Sequence, residues 1–125
     1  MIWKKGIDFY RRAFGLCLAR RLDSNWVELA GATVPIDLLA KAPGSQPTPD
    51  SSSTRNYERH WTPVHIDVVV DDIDAAVARA VSAGAILERG MEKHAWGLLA
   101  ILADPFGQGL CLLQFIGRGY GEIAR

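Results

Sequence analysis

Between Val64 and Val70 the chain alternates apolar positions with others, Val-His-Ile-Asp-Val-Val-Val, and at Asp71-Asp72 the pattern changes to a spacing of three to four. The first stretch predicts a strand with His65, Asp67 and Val69 on one face and Val64, Ile66, Val68 and Val70 on the other. The second predicts a helix from Ile73 to Ala83. Ile73, Ala76, Val77, Ala80 and Val81 share one side of it, and Asp74, Arg79 and Ser82 lie away from that side. Asp71 or Asp72 can cap its first turn, and Gly84 supplies a left-handed residue after its last.

The same periodicity predicts an earlier helix over Lys4 to Phe14, with Ile7, Tyr10 and Phe14 as its apolar stripe, Arg11 and Arg12 outward, and Gly15 ending it. Short β-like runs follow each helix. After the first they are Leu18 to Leu22, Trp26 to Leu29 and Val34 to Leu39. After the second they are Ile86 to Arg89, Leu98 to Leu102 and Gly109 to Phe115. Asp-Ser-Asn at 23–25, Gly31 and Asp-Pro-Phe-Gly at 104–107 mark turns between them. Ala42 to Ser53, rich in Pro, Ser, Gly and Asp, reads as a mobile linker.

The order of elements predicts an α+β chain of two β-α-β-β-β modules, with the first strand of module one absent. His65 precedes Gly84, the glycine that ends its helix, by 19 positions; the same offset from Gly15 falls before Met1. A lost or misassigned start, a fold without that strand, or a partner that fills the slot would each explain it. Because an open slot leaves backbone groups unpaired along a sheet edge, a homodimer is expected. The reading is of a single domain over 1–125: module one about 1–41, linker about 42–60, module two about 61–125.

Composition narrows the function classes. Of the 125 residues 49% are hydrophobic and 22% charged, which suits a packed core and not a disordered chain. Lys+Arg and Asp+Glu stand at 14 each, so no basic field exists to hold a nucleic acid. No apolar run approaches the roughly 20 residues of a membrane span, and no signal-peptide stretch opens the chain. Cys17 and Cys111 sit in apolar segments and read as buried free thiols, which favours a cytoplasmic setting.

With these segments in view, the chain resembles the vicinal oxygen chelate superfamily, which includes glyoxalases, bleomycin-resistance proteins and extradiol dioxygenases. Ile-Asp-Phe-Tyr-Arg-Arg-Ala-Phe-Gly-Leu at 7–16 is similar to its first-helix signature. Trp26-Val-Glu-Leu and Val34-Pro-Ile-Asp-Leu resemble its third and fourth strands. The run from Val64 to Ala76 resembles the start of the second module, and Asp104-Pro-Phe-Gly-Gln-Gly-Leu-Cys-Leu-Leu-Gln its closing hairpin. The resemblance implies two modules forming an open, curved mixed sheet around a cavity, often completed by dimerisation.

It also implies a place for a divalent metal, held by His or Glu on the first strand and Glu on the fourth strand of each module, with open positions for a substrate's oxygens. Here the module-one first strand has no counterpart. Asp37 stands at the module-one Glu position and His65 at the module-two His position; these are the two candidate metal ligands. Cys111 replaces the second Glu with a soft thiol. Equally, His65 can be a cavity histidine bonded to Asp67, Asp37 can face solvent or pair with an arginine, and Cys111 can be a small buried residue.

Aromatic and imidazole side chains at His60, Trp61, His94 and Trp96 are the candidate ligand-binding residues, His94 and Trp96 lying between the second and third strands of module two. They could wall a cavity for an organic ligand, or serve only as packing. Tyr57, Arg118 and Tyr120 lie where they could contribute. The leading expectation is a glyoxalase/bleomycin-resistance-like protein that binds a small organic molecule without a complete metal site and needs no cofactor. The alternative is a metal-dependent lyase, isomerase or dioxygenase whose site is completed by another chain or by a missing N-terminal strand.

Overall fold

In the computed structural model, which describes residues 2–125, the chain runs α1 (Ile2–Phe14), β1 (Cys17–Asp23), β2 (Trp26–Ala30), β3 (Ile36–Leu39), β4 (Ile66–Val69), α2 (Ile73–Ala83), β5 (Ile86–His94), β6 (Gly97–Ala103), β7 (Gly109–Phe115), and a final 3-10 turn (Gly119–Glu122). Two compact units divide between Glu58 and Arg59. Residues 42–58 of the expected linker therefore belong to the first unit, and 59–60 to the second.

The first unit carries an antiparallel sheet in the order β1-β2-β3. Alternation along β2 buries Val27 and Leu29 and turns Glu28 the other way. Trp3 and Leu16 complete this core, and Ile7, Tyr10, Phe14, Ile36 and Leu38 pack against it. Phe9 and Ala13 are buried too, so burial wraps further round α1 than the Ile7-Tyr10-Phe14 stripe. Gly15, with φ 70°, ends the helix in the left-handed region that favours glycine. No strand lies on the far side of β3 among the described residues.

One expectation for this unit is corrected. Cys17 is exposed rather than buried, because every residue of β1 is exposed. The expected linker 42–53 carries turns but no helix or strand, and hydrogen bonds tie it together. Gly44 N donates to Arg55 O (2.7 Å) and Arg55 N to Ser45 O (2.9 Å), while the Arg55 guanidinium binds Ser45 Oγ and Gln46 O. Side-chain and backbone bonds of Ser, Gln and Arg supply the order that its composition does not advertise.

The second unit carries a sheet in the order β4-β7-β6-β5, with β4 parallel to β7 and the other pairs antiparallel. The strand–helix–three-strand order places β4 beside β7, the last strand of its own module. Helix α2 covers one face. Asp72 Oδ1 accepts from Ala75 N at 3.1 Å, and Gly84, φ 117°, returns its N–H to the last turn. Ile73, Ala76 and Ala80 are its buried residues, whereas Val81 of the expected apolar face is exposed.

Gln114 of β7 accepts from Ile73 N at 2.9 Å, which identifies the helix side of the sheet. Leu110 and Leu112 share that side by alternation, together with their β6 partners Leu102 and Ala100. All four are buried. The opposite face, free of α2, carries Asp67 and Val69 of β4, Gly109, Cys111 and Leu113 of β7, and Leu99 and Ile101 of β6.

Strand boundaries move modestly. The expected strand 64–70 shortens to Ile66–Val69, leaving Val64 and His65 in the approach loop, and the expected 86–89 lengthens to Ile86–His94. His94 consequently ends β5, and only Ala95 and Trp96 form the turn to β6. Asp104, 2% exposed, builds the β6–β7 turn by accepting from Phe106 N and Gln108 N. No helix among the described residues is long and apolar enough to cross a membrane.

Candidate functional site

The open face of the second sheet gathers most of the chemistry. Parallel pairing sets Asp67 directly beside Cys111, and two-residue alternation puts His65 on the same side as Asp67. His65 Nε2 lies 3.1 Å from Asp67 Oδ1. One donor atom each from His65, Asp67 and Cys111 falls within 4.8 Å of the others. His65 and Asp67 are exposed and Cys111 is buried, so the group opens outward from a buried thiol. Burial first, and then the charge and hydrogen bonding of Asp67, push the Cys111 thiol up to about 11. It is therefore a thiol at neutral pH. The carboxylate stands between thiol and imidazole, so the order does not match a cysteine nucleophile paired to a histidine base.

Trp61 adjoins this group. Its ring meets that of His65 edge to face at 5.2 Å, and the Arg59 guanidinium stands 4.6 Å from the indole centroid. Arg59 itself is held by both carboxylate oxygens of Glu88 on β5, one contact measuring 2.6 Å. That bond holds the Glu88 carboxyl below its ordinary range and raises the guanidinium still further. His60 enters through its backbone: its N–H donates to Gly107 O at 2.8 Å and it bridges Gln108, the residue before β7.

A second aromatic group forms at the other end of β7. His94 stacks on Trp96 with centroids 5.1 Å apart and planes 3° from parallel, and Trp96 also meets Phe115 and Tyr120. His94 Nε2 is 3.4 Å from Glu92. Ile116 N donates to Trp96 O, whereas His60 is tied to Gln108. At the strand rise this separates the two attachment points by about 25 Å. His60, Trp61, His94 and Trp96 therefore form two groups, and it is Trp61 whose ring meets His65. Trp61 is exposed, and Trp3 is the tryptophan that enters a hydrophobic core.

Asp37 lies in the first unit, opposite Glu28 in the β2–β3 pairing. Glu28 holds Arg20 through two bonds of 3.0 and 3.1 Å, and Asp37 acts on the same guanidinium through its charge. Its surroundings thus already contain a cation. Alternation offers Asp67 as a bonding partner of His65, and the two side chains lie 3.1 Å apart. Arg59 and Glu88 do not emerge from sequence, because they are 29 positions apart and meet only through the fold.

The resemblance implies a divalent metal. The His65–Asp67–Cys111 donors do not match a hard ion that wants an all-oxygen shell, but nitrogen, oxygen and sulfur together suit zinc-like ions.

Comparison with known proteins follows the same lines. The family model described as a glyoxalase-like domain matches residues 3–113. An uncharacterised protein of Mycobacterium bovis is 34% identical over 118 residues, covering 86% of this chain and 73% of that protein. Two Mycobacterium tuberculosis proteins match at the same identity, and there the alignment spans 65% of their length. Among solved structures, the antibiotic-binding protein TnmS3 from Streptomyces sp. CB03234 is similar at 26% identity and TM-score 0.64, over 93% of this chain and 88% of that one. A glyoxalase-related enzyme from Fulvimarina pelagi shares the fold at 17% identity and TM-score 0.68, over 93% and 85%.

Proposed function

The chain belongs to the glyoxalase-like domain family, and from that premise we propose that it binds a small organic molecule with an aromatic or otherwise apolar body on the open face of the second sheet. The observation that carries this reading is the position of Trp61. Its ring is fixed by Gly109, Arg59 and His65 at the border of a face lined by Val69, Leu99, Ile101 and Leu113. An aromatic wall already held in place loses little freedom when a ligand arrives. The adjacent His65–Asp67 pair offers a donor and an acceptor to a ligand hydroxyl or carbonyl. The likeness to TnmS3 supports binding of an antibiotic-like molecule.

On this reading the protein sequesters its ligand in the cytoplasm and needs neither a metal nor a partner macromolecule other than a second copy of itself. The second copy belongs to the proposal because β3 has a free edge among the described residues and Leu39 on it is exposed. A monomer at high micromolar concentration, by light scattering, contradicts that part.

The binding test is a tryptophan-fluorescence titration of chelator-treated protein against a panel of polycyclic aromatic antibiotics. Saturable quenching that weakens at least tenfold in Trp61→Ala supports the reading. Absence of saturable binding across the panel, or equal affinity in Trp61→Ala, refutes it.

A further inference from the structure

We propose that Trp96 and Phe115 form a second aryl-binding subsite, at the far end of the open face. In the free protein the chain's own Tyr120 fills it, and the aromatic group of a bound molecule takes its place. Gln114 marks the helix side of β7, so Gly109, Cys111, Leu113 and Phe115 follow one another along the open face. Trp61 sits on Gly109 at one end. At the strand rise Phe115 ends the row about 20 Å away, opposite Gly97 and beside Trp96.

The chain then folds back onto that end. A Cβ added at Gly119 would lie 3.0 Å from Cγ and 3.1 Å from Cδ1 of Phe115, so the turn 119–122 rests its backbone on the ring. Tyr120 follows, its ring edge to face with Phe115 at 4.8 Å and tilted against Trp96 at 5.3 Å. Aromatic rings prefer such contacts to a direct sandwich, and a phenol held in this way stands in for the aryl group of a ligand. His94 stacks on Trp96 and Ile116 N donates to Trp96 O, and neither contact involves Tyr120.

Little holds Tyr120 in place. It is 46% exposed, and among the described residues its side chain is seated by ring contacts rather than hydrogen bonds. The polar bonds of the turn stay within residues 116–124. Gly119 N donates to Ile116 O, Gly121 N to Arg118 O and Ile123 N to Tyr120 O, while Glu122 accepts from the backbone N–H and guanidinium of Arg118. The turn can therefore lift as a unit about Gly117, whose φ of 58° lies in the left-handed region that favours glycine. Self-occupation of this kind lowers apparent affinity by the fraction of molecules in which Tyr120 is out.

The subsite extends the open-face reading and rests on it for the natural ligand, which must be elongated to meet both Trp61 and Phe115. A short aryl probe reports the far end by itself. Anilinonaphthalene sulfonate is titrated into the full chain and followed by its fluorescence. Tyr120→Ala should bind it about three- to tenfold more tightly than wild type. Gly119→Ala, whose turn cannot rest on Phe115, should shift affinity in the same direction. Phe115→Ala or Trp96→Ala, each added to Tyr120→Ala, should abolish the gain. Trp61→Ala added to it should keep the gain, so failure at Trp61 and failure at this subsite are told apart.

Trypsin gives a reading that needs no ligand. The bond after Arg118 is cut only from an opened turn, so Tyr120→Ala should speed that cleavage, and saturating probe should speed it in the wild type as well. Equal or weaker probe binding by Tyr120→Ala, a gain that survives Phe115→Ala or Trp96→Ala, or a probe that fails to speed cleavage after Arg118 would overturn the assignment.

Discussion

The indole of Trp61 rests its face on Gly109: a Cβ added at 109 would lie 2.6 Å from three atoms of the fused ring. Contact that close is not tolerated, so the strand needs glycine there for the tryptophan to take its place. Gly109→Ala should push Trp61 off the sheet without disturbing the helix-side core. The expected outcome is a ligand affinity reduced by about tenfold, a weakening comparable to Trp61→Ala, and a changed tryptophan emission. Circular dichroism in the far ultraviolet should stay as in the wild type. Unchanged emission in Gly109→Ala would show that the ring has another way to sit.

The two cysteines should differ in reactivity. Cys17 is exposed, whereas burial and the Asp67 carboxylate push the Cys111 thiol up to about 11 from a starting value of 9.0. Two pKa units make the thiolate about 100-fold scarcer at pH 8, and thiolate is the reacting form. Metal-free protein treated with an aromatic disulfide reagent should therefore react in two phases of equal amplitude, about 100-fold or more apart. Cys17→Ser should delete the fast phase. Asp67→Asn should speed the slow one, since it removes a charge that opposes ionisation. A single fast phase of two thiols contradicts this account.

What the sequence made legible was local. Asp72, Ile73 and Gly84 announced α2 because a cap, a period and a left-handed glycine all act within one helix. Alternation put His65 and Asp67 on one side before any strand pairing was known. Whether that side met Cys111 depended on the register of β4 with β7, and register is a long-range property. The distance between His60 and His94 was hidden for the same reason. Both are imidazoles within two positions of a tryptophan in sequence, and only the strand order shows them at opposite ends of β7. Cys17 misled because an apolar neighbourhood in sequence says nothing about a strand that lies exposed along its whole length. The bonds that tie Ser45 and Gln46 to Arg55 were likewise invisible, since they join positions nine and ten apart.

Helix α2 depends on two bonds to its opening N–H groups. Asp72 accepts from Ala75 N at 3.1 Å, and Gln114, reaching from β7, accepts from Ile73 N at 2.9 Å. Either loss leaves a first-turn donor without its protein acceptor. Asp72→Ala should cost about 1 kcal/mol. Gln114→Leu should cost about 1–3 kcal/mol, because the Ile73 donor is partly shielded from water. Thermal unfolding should show both, with the larger fall in Tm for Gln114→Leu. Equal stabilities for wild type and Gln114→Leu would show that water replaces the lost acceptor.

The Arg59–Glu88 pair predicts a pH dependence of definite sign. The guanidinium's hydrogen bond and charge hold the Glu88 carboxyl below its ordinary value in the folded chain. A carboxylate with a depressed folded pKa stabilises above the unfolded value of about 4.3, and the contribution disappears as pH falls through the lower folded value. Both side chains keep about 30% of their exposure, which screens the pair, so about 0.5–1 kcal/mol is expected at neutral pH. Glu88→Gln should therefore be slightly less stable than wild type at pH 7, and the gap should close on acidification below about pH 4. Denaturant unfolding at a series of pH values measures it. A gap that widens toward acid would mean that Glu88 is repelled in the folded chain, and that Arg59 is held beside Trp61 by something other than this carboxylate.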